Sequence, residues 1–166
     1  MSTLLLPDFR VKPIDDEDLK PLERFLFSQD LGYPGYDKWI KKTCLPELYF
    51  NQKQGLAVIA NSVIIADIIF QQHKQLPETL EIKNLRIDPR YRQRDIAHFL
   101  MKQAEVYARQ TNQEQIIADF RAGKPYSKEL LKFILFCGFQ VLFKSDSLYD
   151  DSHKDYIIGK QLRQAA

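Results

Sequence analysis

The chain has 166 residues, of which 45% are hydrophobic and 28% are charged, and its formal net charge is +2. This length suits one domain with a substantial core, so we expect a single domain over residues 1–166. The composition is typical of globular proteins and excludes an intrinsically disordered chain. The small net charge argues against a broad basic face, so we expect no nucleic-acid partner.

The sequence also favours a cytoplasmic protein. Residues 1–9 lack the regions of a signal peptide, and the longest apolar run, residues 63–70, is too short to cross a bilayer. Cys44 and Cys137 lie far apart with no metal-ligand spacing, which favours two free thiols over a disulfide. The histidines are isolated as well, so we expect no metal site. The shortness of the apolar runs leads us to expect no membrane partner.

The first half of the chain predicts a strand, two helices and a β-hairpin. The predicted elements are a strand over 9–14, a helix capped by Asp15 or Asp16, a turn over 30–35, a helix from Tyr36 that ends near Pro46, and strands over 55–60 and 63–71. The hairpin connection is Asn61-Ser62, which is a weaker turn signal than Asn-Gly.

The second half alternates strands and helices. The predicted elements are a strand over 80–87, a helix over 94–109, a buried strand over 115–120, a helix over 127–136 capped by Ser127 and ended by Gly138, and strands over 139–143 and 156–158. A polar, acidic segment over 145–155 joins the last two strands. This order predicts an α/β (α+β) fold with a mixed, mostly antiparallel sheet of about seven strands flanked by about four helices.

Residues 80–108 carry the most specific functional pattern. A strand leads through a turn with Arg90, Arg92 and Arg94 into an amphipathic helix. A helix N-terminus exposes unpaired N–H groups and a partial positive charge, which favour an anion, and arginines beside it add donors for phosphate. The simpler alternative is a capped helix with solvated arginines. With Arg86, these arginines could serve a small phosphorylated ligand.

This segment resembles the acetyl-CoA-binding motif of the GNAT superfamily of N-acyltransferases, Arg/Gln-x-x-Gly-x-Gly/Ala between a strand and a helix. The residues Arg92-Gln93-Arg94-Asp95-Ile96-Ala97 occupy that frame. The helix that ends in Gly138-Phe139 resembles a second signature of the family. The order of the elements over residues 9–162 also matches the family fold.

The resemblance implies transfer of an acetyl group from acetyl-CoA, as co-substrate, to an amine-bearing small molecule or protein. The pyrophosphate would bind the amides of Arg92, Gln93, Arg94, Asp95, Ile96 and Ala97. The pantetheine arm would pair like an extra strand with the backbone of Leu85, Arg86 and Ile87. Ser127, which stands where the family often has asparagine, completes the predicted cofactor site. A homodimer is one option for the oligomeric state.

Glu81 is the candidate base. It precedes Arg92 by the eleven residues found in histone-acetylating members of this family. If Glu81 faces the cleft, burial would raise its pKa towards the working pH. The alternative is a solvent-facing carboxylate paired with a lysine. Tyr126, Tyr149 or Cys137 could supply the acid for the departing thiolate.

Two positions depart from the family pattern. Asp95 stands where the family has glycine, and its negative charge opposes a diphosphate unless it points outward. Ile134 stands where the family has its general-acid tyrosine and cannot donate a proton. These departures keep a second hypothesis open: a non-catalytic GNAT-fold module that binds acyl-CoA or a protein partner. A third is a toxin-like enzyme that acylates aminoacyl-tRNA.

Three further features have both a structural and a functional interpretation. For Asp67 we favour a solvent-facing or lysine-paired strand residue over a buried carboxyl with a raised pKa. The aromatic residues Tyr33, Tyr36, Trp39 and Tyr49 could grip an acceptor or serve as packing. The acidic stretch over 146–155 could attract a cationic amine, although such a run is more typical of a solvated loop.

Overall fold

A computed structural model describes residues 9–146 and 154–162 of the chain. The strands are β1 (Phe9–Pro13), β2 (Gln54–Ala60), β3 (Val63–Gln72), β4 (Thr79–Ile87), β5 (Gln115–Arg121), β6 (Gln140–Asp146) and β7 (Lys154–Gln161). The helices are α1 (Leu19–Ser28), α2 (Tyr36–Trp39), α3 (Leu45–Tyr49), α4 (Ile96–Gln110) and α5 (Ser127–Phe136).

The seven described strands form one sheet in the order β1-β2-β3-β4-β5-β7-β6. Only β4 and β5 pair in parallel, and every other neighbouring pair is antiparallel. The parallel pair requires a crossover connection, which α4 supplies. The predicted fold class, a mixed and mostly antiparallel sheet with helices on both faces, is confirmed.

Helices cover the two faces of the sheet with separate apolar clusters. On one face, α4 and α5 pack on the sheet through Leu100, Ala104 and Ile134, together with strand residues such as Ile68 and Phe120. On the other face, α1, α2 and α3 bury a second cluster, to which β3 contributes Ile69 and the partly buried Ile64. Burial on both faces explains why β3 is apolar almost throughout.

The predicted helix cap and the predicted hairpin turn in the first half of the chain are both present in the structure. Asp15 accepts a hydrogen bond from the Glu17 amide and forms a capping box with Asp18 at a 3₁₀ turn (Asp16–Asp18) that leads into α1. Asn61 and Ser62 both have positive φ, 50° and 64°, as the two-residue hairpin between β2 and β3 requires.

Two predicted boundaries were wrong. The helix from Tyr36 does not end near Pro46, because the chain passes through a π-helical turn (Ile40–Cys44) and Pro46 opens α3. A proline is tolerated there, since the first-turn amides of a helix need no intrahelical partner. Helix α4 begins at Ile96 rather than Arg94, because Asp95 adopts a left-handed conformation with φ 58°.

The last two strands are longer than predicted. Ser145 and Asp155, expected in an acidic loop, are paired with each other across β6 and β7. Residues 147–153 of that segment lie outside the described residues.

Within the described ranges, no helix is long and apolar enough to cross a membrane.

Candidate active site

The central feature of the site is a gap between β4 and β5. Their parallel pairing runs only from Thr79 with Gln115 to Ile82 with Ala118. At the same level the β3–β4 register shifts, so that Phe70 pairs with Ile82 and Ile69 pairs with Asn84. The extra residue in β4 bends the strand away from β5. From there to Ile87, one edge of β4 has no strand beside it in the described structure.

The N-terminus of α4 lies next in the chain after this free edge. Residues 92–95 are all exposed, and Gln93 and Asp95 both have positive φ. Helix α4 has 15 residues, and the first intrahelical amide bond runs from Phe99 N to Asp95 O, 2.9 Å. The preceding amides have no partner of this kind, as at any helix start, and they favour an anion.

Asp95 occupies the glycine position of the motif in a backbone conformation that glycine prefers. Its φ of 58° is left-handed, and its side chain forms no capping hydrogen bond with α4. The loop therefore keeps a conformation suited to glycine with a Cβ present, at some cost in strain.

The arginines predicted as one cluster divide into separate groups. Arg90 pairs with Asp88, with 2.8 Å between Nη2 and Oδ2. The exposed Arg92 donates from Nε to the carbonyl of Ile87, 3.3 Å, and Arg94 lies over the ring of Tyr91. Arg86 instead contacts the aromatic residues that follow α1, so a phosphate ligand would meet Arg92 and Arg94 without Arg86.

Glu81 lies at the closed end of the gap, within a chain of polar side chains. Gln71 donates from Nε2 to its Oε2, 2.8 Å, and Lys83 donates to its Oε1, 3.0 Å. The buried Lys53 donates to Gln71 Oε1, 2.5 Å, and also pairs with Glu47. The ammonium of Lys53 thus fixes the orientation of the Gln71 amide, so that its NH₂ group points at Glu81.

The expected rise in the pKa of Glu81 was wrong. Burial alone would raise this pKa, but the hydrogen bonds from Lys83 and Gln71 and the charge of Lys83 outweigh burial and lower it. Hydrogen bonds to a carboxylate favour its charged form. Glu81 is therefore ionised at neutral pH and is able to accept a proton.

Arg86 lies beyond the bulge, on the face of the sheet that α1 and α2 cover. Its guanidinium carbon is 5.9 Å from the ring centre of Tyr33 and 5.5 Å from that of Tyr36. Trp39 stacks on Tyr36, with 5.9 Å between ring centres. Of the four aromatic residues considered for the acceptor wall, Tyr49 alone lies apart, exposed and in contact with Phe50.

Our preferred interpretation of Asp67 was wrong. Its side chain is fully buried, and Oδ2 accepts a hydrogen bond of 2.7 Å from Asn84 Nδ2. Burial raises the pKa of Asp67 to about 7, against the smaller opposing effects of Asn84 and Arg86. The cause is the burial of β3 on both faces of the sheet.

The candidate acids fall into different environments. Tyr126, before α5, donates from its hydroxyl to the carbonyl of Leu31, 3.2 Å, and burial raises its pKa. Ile134 is on the face of α5 that is buried in the core. For Cys137, burial raises the pKa of the thiol. Tyr149 lies outside the described residues.

Ser127 closes the connection between β5 and α5. Its hydroxyl donates to the carbonyl of Arg121, 2.7 Å, and accepts from the Lys124 amide, 3.0 Å. Ser127 is the first residue of α5 and makes no capping bond to that helix, so the predicted cap was wrong. Because its one proton is donated within the loop, Ser127 can offer a cofactor only a lone pair.

Sequence reasoning missed the buried ion pair of Arg121 and Asp155. Both side chains are inaccessible to solvent, and Nε lies 3.7 Å from Oδ1 across the β5–β7 pairing. Arg121 also lies over the ring of Tyr33, whose hydroxyl accepts a hydrogen bond from the Arg121 amide, 3.0 Å. The partners are 34 residues apart (155 − 121), so no local pattern indicated this contact.

Comparison with known proteins identifies the class to which this fold and site belong. The sequence model of the Acetyltransferase (GNAT) family matches residues 18–134, which is most of the chain. The chain therefore belongs to the GNAT acetyltransferase family.

Solved structures agree on the fold. A putative GNAT acetyltransferase from Desulfovibrio desulfuricans has a TM-score of 0.79 at 12% identity, covering 94% of this chain and 99% of its own. The ribosomal-protein-S18-alanine N-acetyltransferase from Escherichia coli has a TM-score of 0.72 at 13% identity, covering 95% and 96%. PaiA N-acetyltransferase from Thermoplasma acidophilum, solved with coenzyme A, has a TM-score of 0.68 at 18% identity, covering 93% and 99%. No curated protein matches the sequence significantly.

Proposed function

We propose that this chain is an N-acetyltransferase that moves an acetyl group from acetyl-CoA to a primary amine. The observation that carries the proposal is the gap between β4 and β5, which opens beyond Ile82 and Ala118 and leaves one edge of β4 unpaired. An extended thioester arm can bind such an edge as an added strand. The anion-binding start of α4 follows the same strand.

In this arrangement, acetyl-CoA is held by contiguous residues. The pantetheine amides pair with the backbone of Leu85, Arg86 and Ile87. The pyrophosphate binds the amides of residues 92–97, with the exposed Arg92 and Arg94 side chains beside it. A helix of 15 residues supplies a full terminal dipole for this anion.

The chemistry is direct transfer within the gap. The amine nitrogen attacks the thioester carbonyl carbon, the C–N bond forms, and the C–S bond breaks. Glu81, ionised and ordered by Gln71 and Lys83, takes a proton from the amine, directly or through one water. A backbone N–H of β4 stabilises the oxyanion. The neutral hydroxyl of Tyr126 protonates the departing thiolate after releasing its hydrogen bond to the Leu31 carbonyl.

The acceptor is an amine on a small molecule or on a protein. One neighbour in the comparison is named for the alanine of ribosomal protein S18, but at 13% identity that likeness supports the fold and not the acceptor. The free thiols of Cys44 and Cys137 support a reducing, cytoplasmic setting. We also propose that residues 1–166 act as one domain, since the neighbours described above each cover at least 93% of the chain.

Binding and turnover are tested separately. Acetyl-CoA at a hundred times its Kd is expected to stabilise the protein by about 2.7 kcal/mol, measured as a thermal shift. No shift at millimolar acetyl-CoA contradicts the proposal. Transfer is followed as acceptor-dependent release of the CoA thiol.

Glu81→Gln tests the base. The variant is expected to bind acetyl-CoA normally and to lose transfer by roughly 10²–10⁴-fold, the range for removal of a general base. Glu129→Gln is the matched control, because Glu129 is a solvent-exposed carboxylate at the start of α5. Retained activity in Glu81→Gln removes this residue from the mechanism.

A second hypothesis is a non-catalytic module that binds acyl-CoA or a protein partner through the same fold. The buried Ile134 in place of a tyrosine and the strained Asp95 favour it. Its signature is a normal thermal shift with CoA and no thiol release with any amine.

A further inference from the structure

The structure places two opposite charges on the two sides of the gap. Past the last parallel pair, β4 contributes Arg86 and β5 contributes Asp119. Ile116 and Phe120 of β5 point into the core under α4. Because side chains alternate along a strand, Asp119 points to the opposite face. Arg86 lies on that same face, since it contacts the aromatic rings that follow α1.

The hydroxyl of Tyr33 lies within the electrostatic reach of both charges. Burial raises the pKa of Tyr33 to about 12; among the smaller effects, Arg86 lowers this pKa and Asp119 raises it. Tyr33 is therefore uncharged at neutral pH, and its ring contacts Arg86, 5.9 Å from the guanidinium carbon.

Arg86 is short of anionic partners. In the described part of the chain its guanidinium makes no ion pair; Nη1 donates to the carbonyl of Leu85, 3.0 Å, and Nε is buried without a hydrogen-bond partner. The opposing strand residue Asp67 is partly protonated near neutral pH, since burial raises its pKa to about 7. Arg86 is partly exposed, so the remaining donors of its planar fork suit a carboxylate.

We propose that Arg86 and Asp119 form a two-charge acceptor site that selects amines which also carry a carboxylate, such as free amino acids and ω-amino acids. Asp119 receives the acceptor's ammonium group, and Arg86 binds its carboxylate. The apolar part of the acceptor packs on Tyr33 and Tyr126, which flank the gap from two different loops. This inference rests on the proposed function and adds the chemical class of the acceptor to it.

The test uses matched acceptors. Glycine, 4-aminobutanoate and lysine are each compared with the corresponding carboxamide, and thiol release from acetyl-CoA gives kcat/KM. We expect at least one amino carboxylate to exceed its carboxamide by roughly tenfold or more, as a charge-assisted pair implies. The chain length of the best acceptor then reports the separation of the two charges.

Variants separate recognition from folding. Arg86→Gln is expected to abolish the preference, because KM for the carboxylate of each pair should rise roughly tenfold more than KM for the carboxamide. Arg86→Lys retains part of the preference, and Asp119→Asn raises KM for both members. Arg10→Gln is the matched control, because Arg10 is exposed on β1 at the far edge of the sheet.

Several outcomes overturn the inference. These are equal kcat/KM within every pair, a better rate with a carboxamide or an amidated peptide, or an equal loss on both members in Arg86→Gln. If CoA binds and no acceptor is acetylated, calorimetry of the same pairs with CoA-saturated protein decides, and equal affinities within each pair reject the site. Absence of CoA binding, by contrast, overturns the proposed function itself.

Discussion

The cofactor side and the acceptor side of the gap are built in different ways. The proposed cofactor side uses neighbours in the sequence, residues 85–97, and its charged side chains are mostly exposed. The acceptor side assembles six polar residues from five parts of the fold: Tyr33 after α1, Asp67 on β3, Arg86 on β4, Asp119 and Arg121 on β5, and Asp155 on β7. Three of them, Asp67, Arg121 and Asp155, are buried. A local site can change with little effect on folding, whereas a buried charge network is part of the core.

Breaking the buried ion pair is expected to have the largest effect on stability. Asp155→Asn removes the negative charge that faces the buried guanidinium of Arg121, and should lower the free energy of unfolding by about 3–5 kcal/mol. Urea denaturation measures the change. Glu129→Gln, which breaks the exposed pair with Lys132, is the control and should cost less than about 1 kcal/mol. Similar losses in both variants would show that the buried ion pair stabilises the fold no more than an exposed pair does.

Asp67 should make stability depend on pH. The pKa of Asp67 in the folded protein, about 7, exceeds the ordinary value of 3.8. The stability that its protonated form contributes to the fold is therefore fully present below pH 3.8 and is lost as pH rises towards and through 7. Asp67→Asn removes this dependence and can still accept the bond from Asn84. Relative to the unchanged protein, the variant should therefore gain roughly 4 kcal/mol between pH 4 and pH 8.

Chemical denaturation at several pH values provides the measurement for Asp67. Asp30→Asn serves as the control, because Asp30 lies in the exposed part of the connection after α1. A pH dependence that is identical in Asp67→Asn and in the unchanged protein would contradict a buried, titrating Asp67.

On the cofactor side, Asp95→Gly is expected to have the smallest effect on stability. Glycine relieves the left-handed backbone and should stabilise the fold by about 0.5–1 kcal/mol. It also removes a carboxylate near the diphosphate, so acetyl-CoA should bind more tightly, measured by calorimetry. Asn112→Gly is the matched control, since Asn112 has φ 55° beyond the other end of α4. The Asn112→Gly control should gain stability without any change in its affinity for acetyl-CoA. Unchanged affinity in Asp95→Gly would show that the Asp95 carboxylate points away from the ligand.

The sequence predicted most of what is local. The spacing of hydrophobic residues and the turn residues located the strands, the Asn61-Ser62 hairpin and α5. The motif located the start of α4 to within two residues. Those signals arise from interactions between residues close in the chain, such as alternating burial, caps and turns with positive φ. The family was also indicated by a local pattern, the strand, turn and helix over residues 80–108, and the match over residues 18–134 now shows it.

What only the tertiary structure decided is the electrostatic state of the site. Glu81 has a lowered pKa because Gln71 and Lys83 donate to it, Asp67 is buried because helices cover both faces of β3, and Asp155 meets Arg121 across two strands. A carboxylate's pKa depends on its burial and on the charges around it, and residues far apart in sequence supply both. The sequence alone therefore determined the frame that would hold the cofactor, and the packing of distant elements determined which charges face an acceptor.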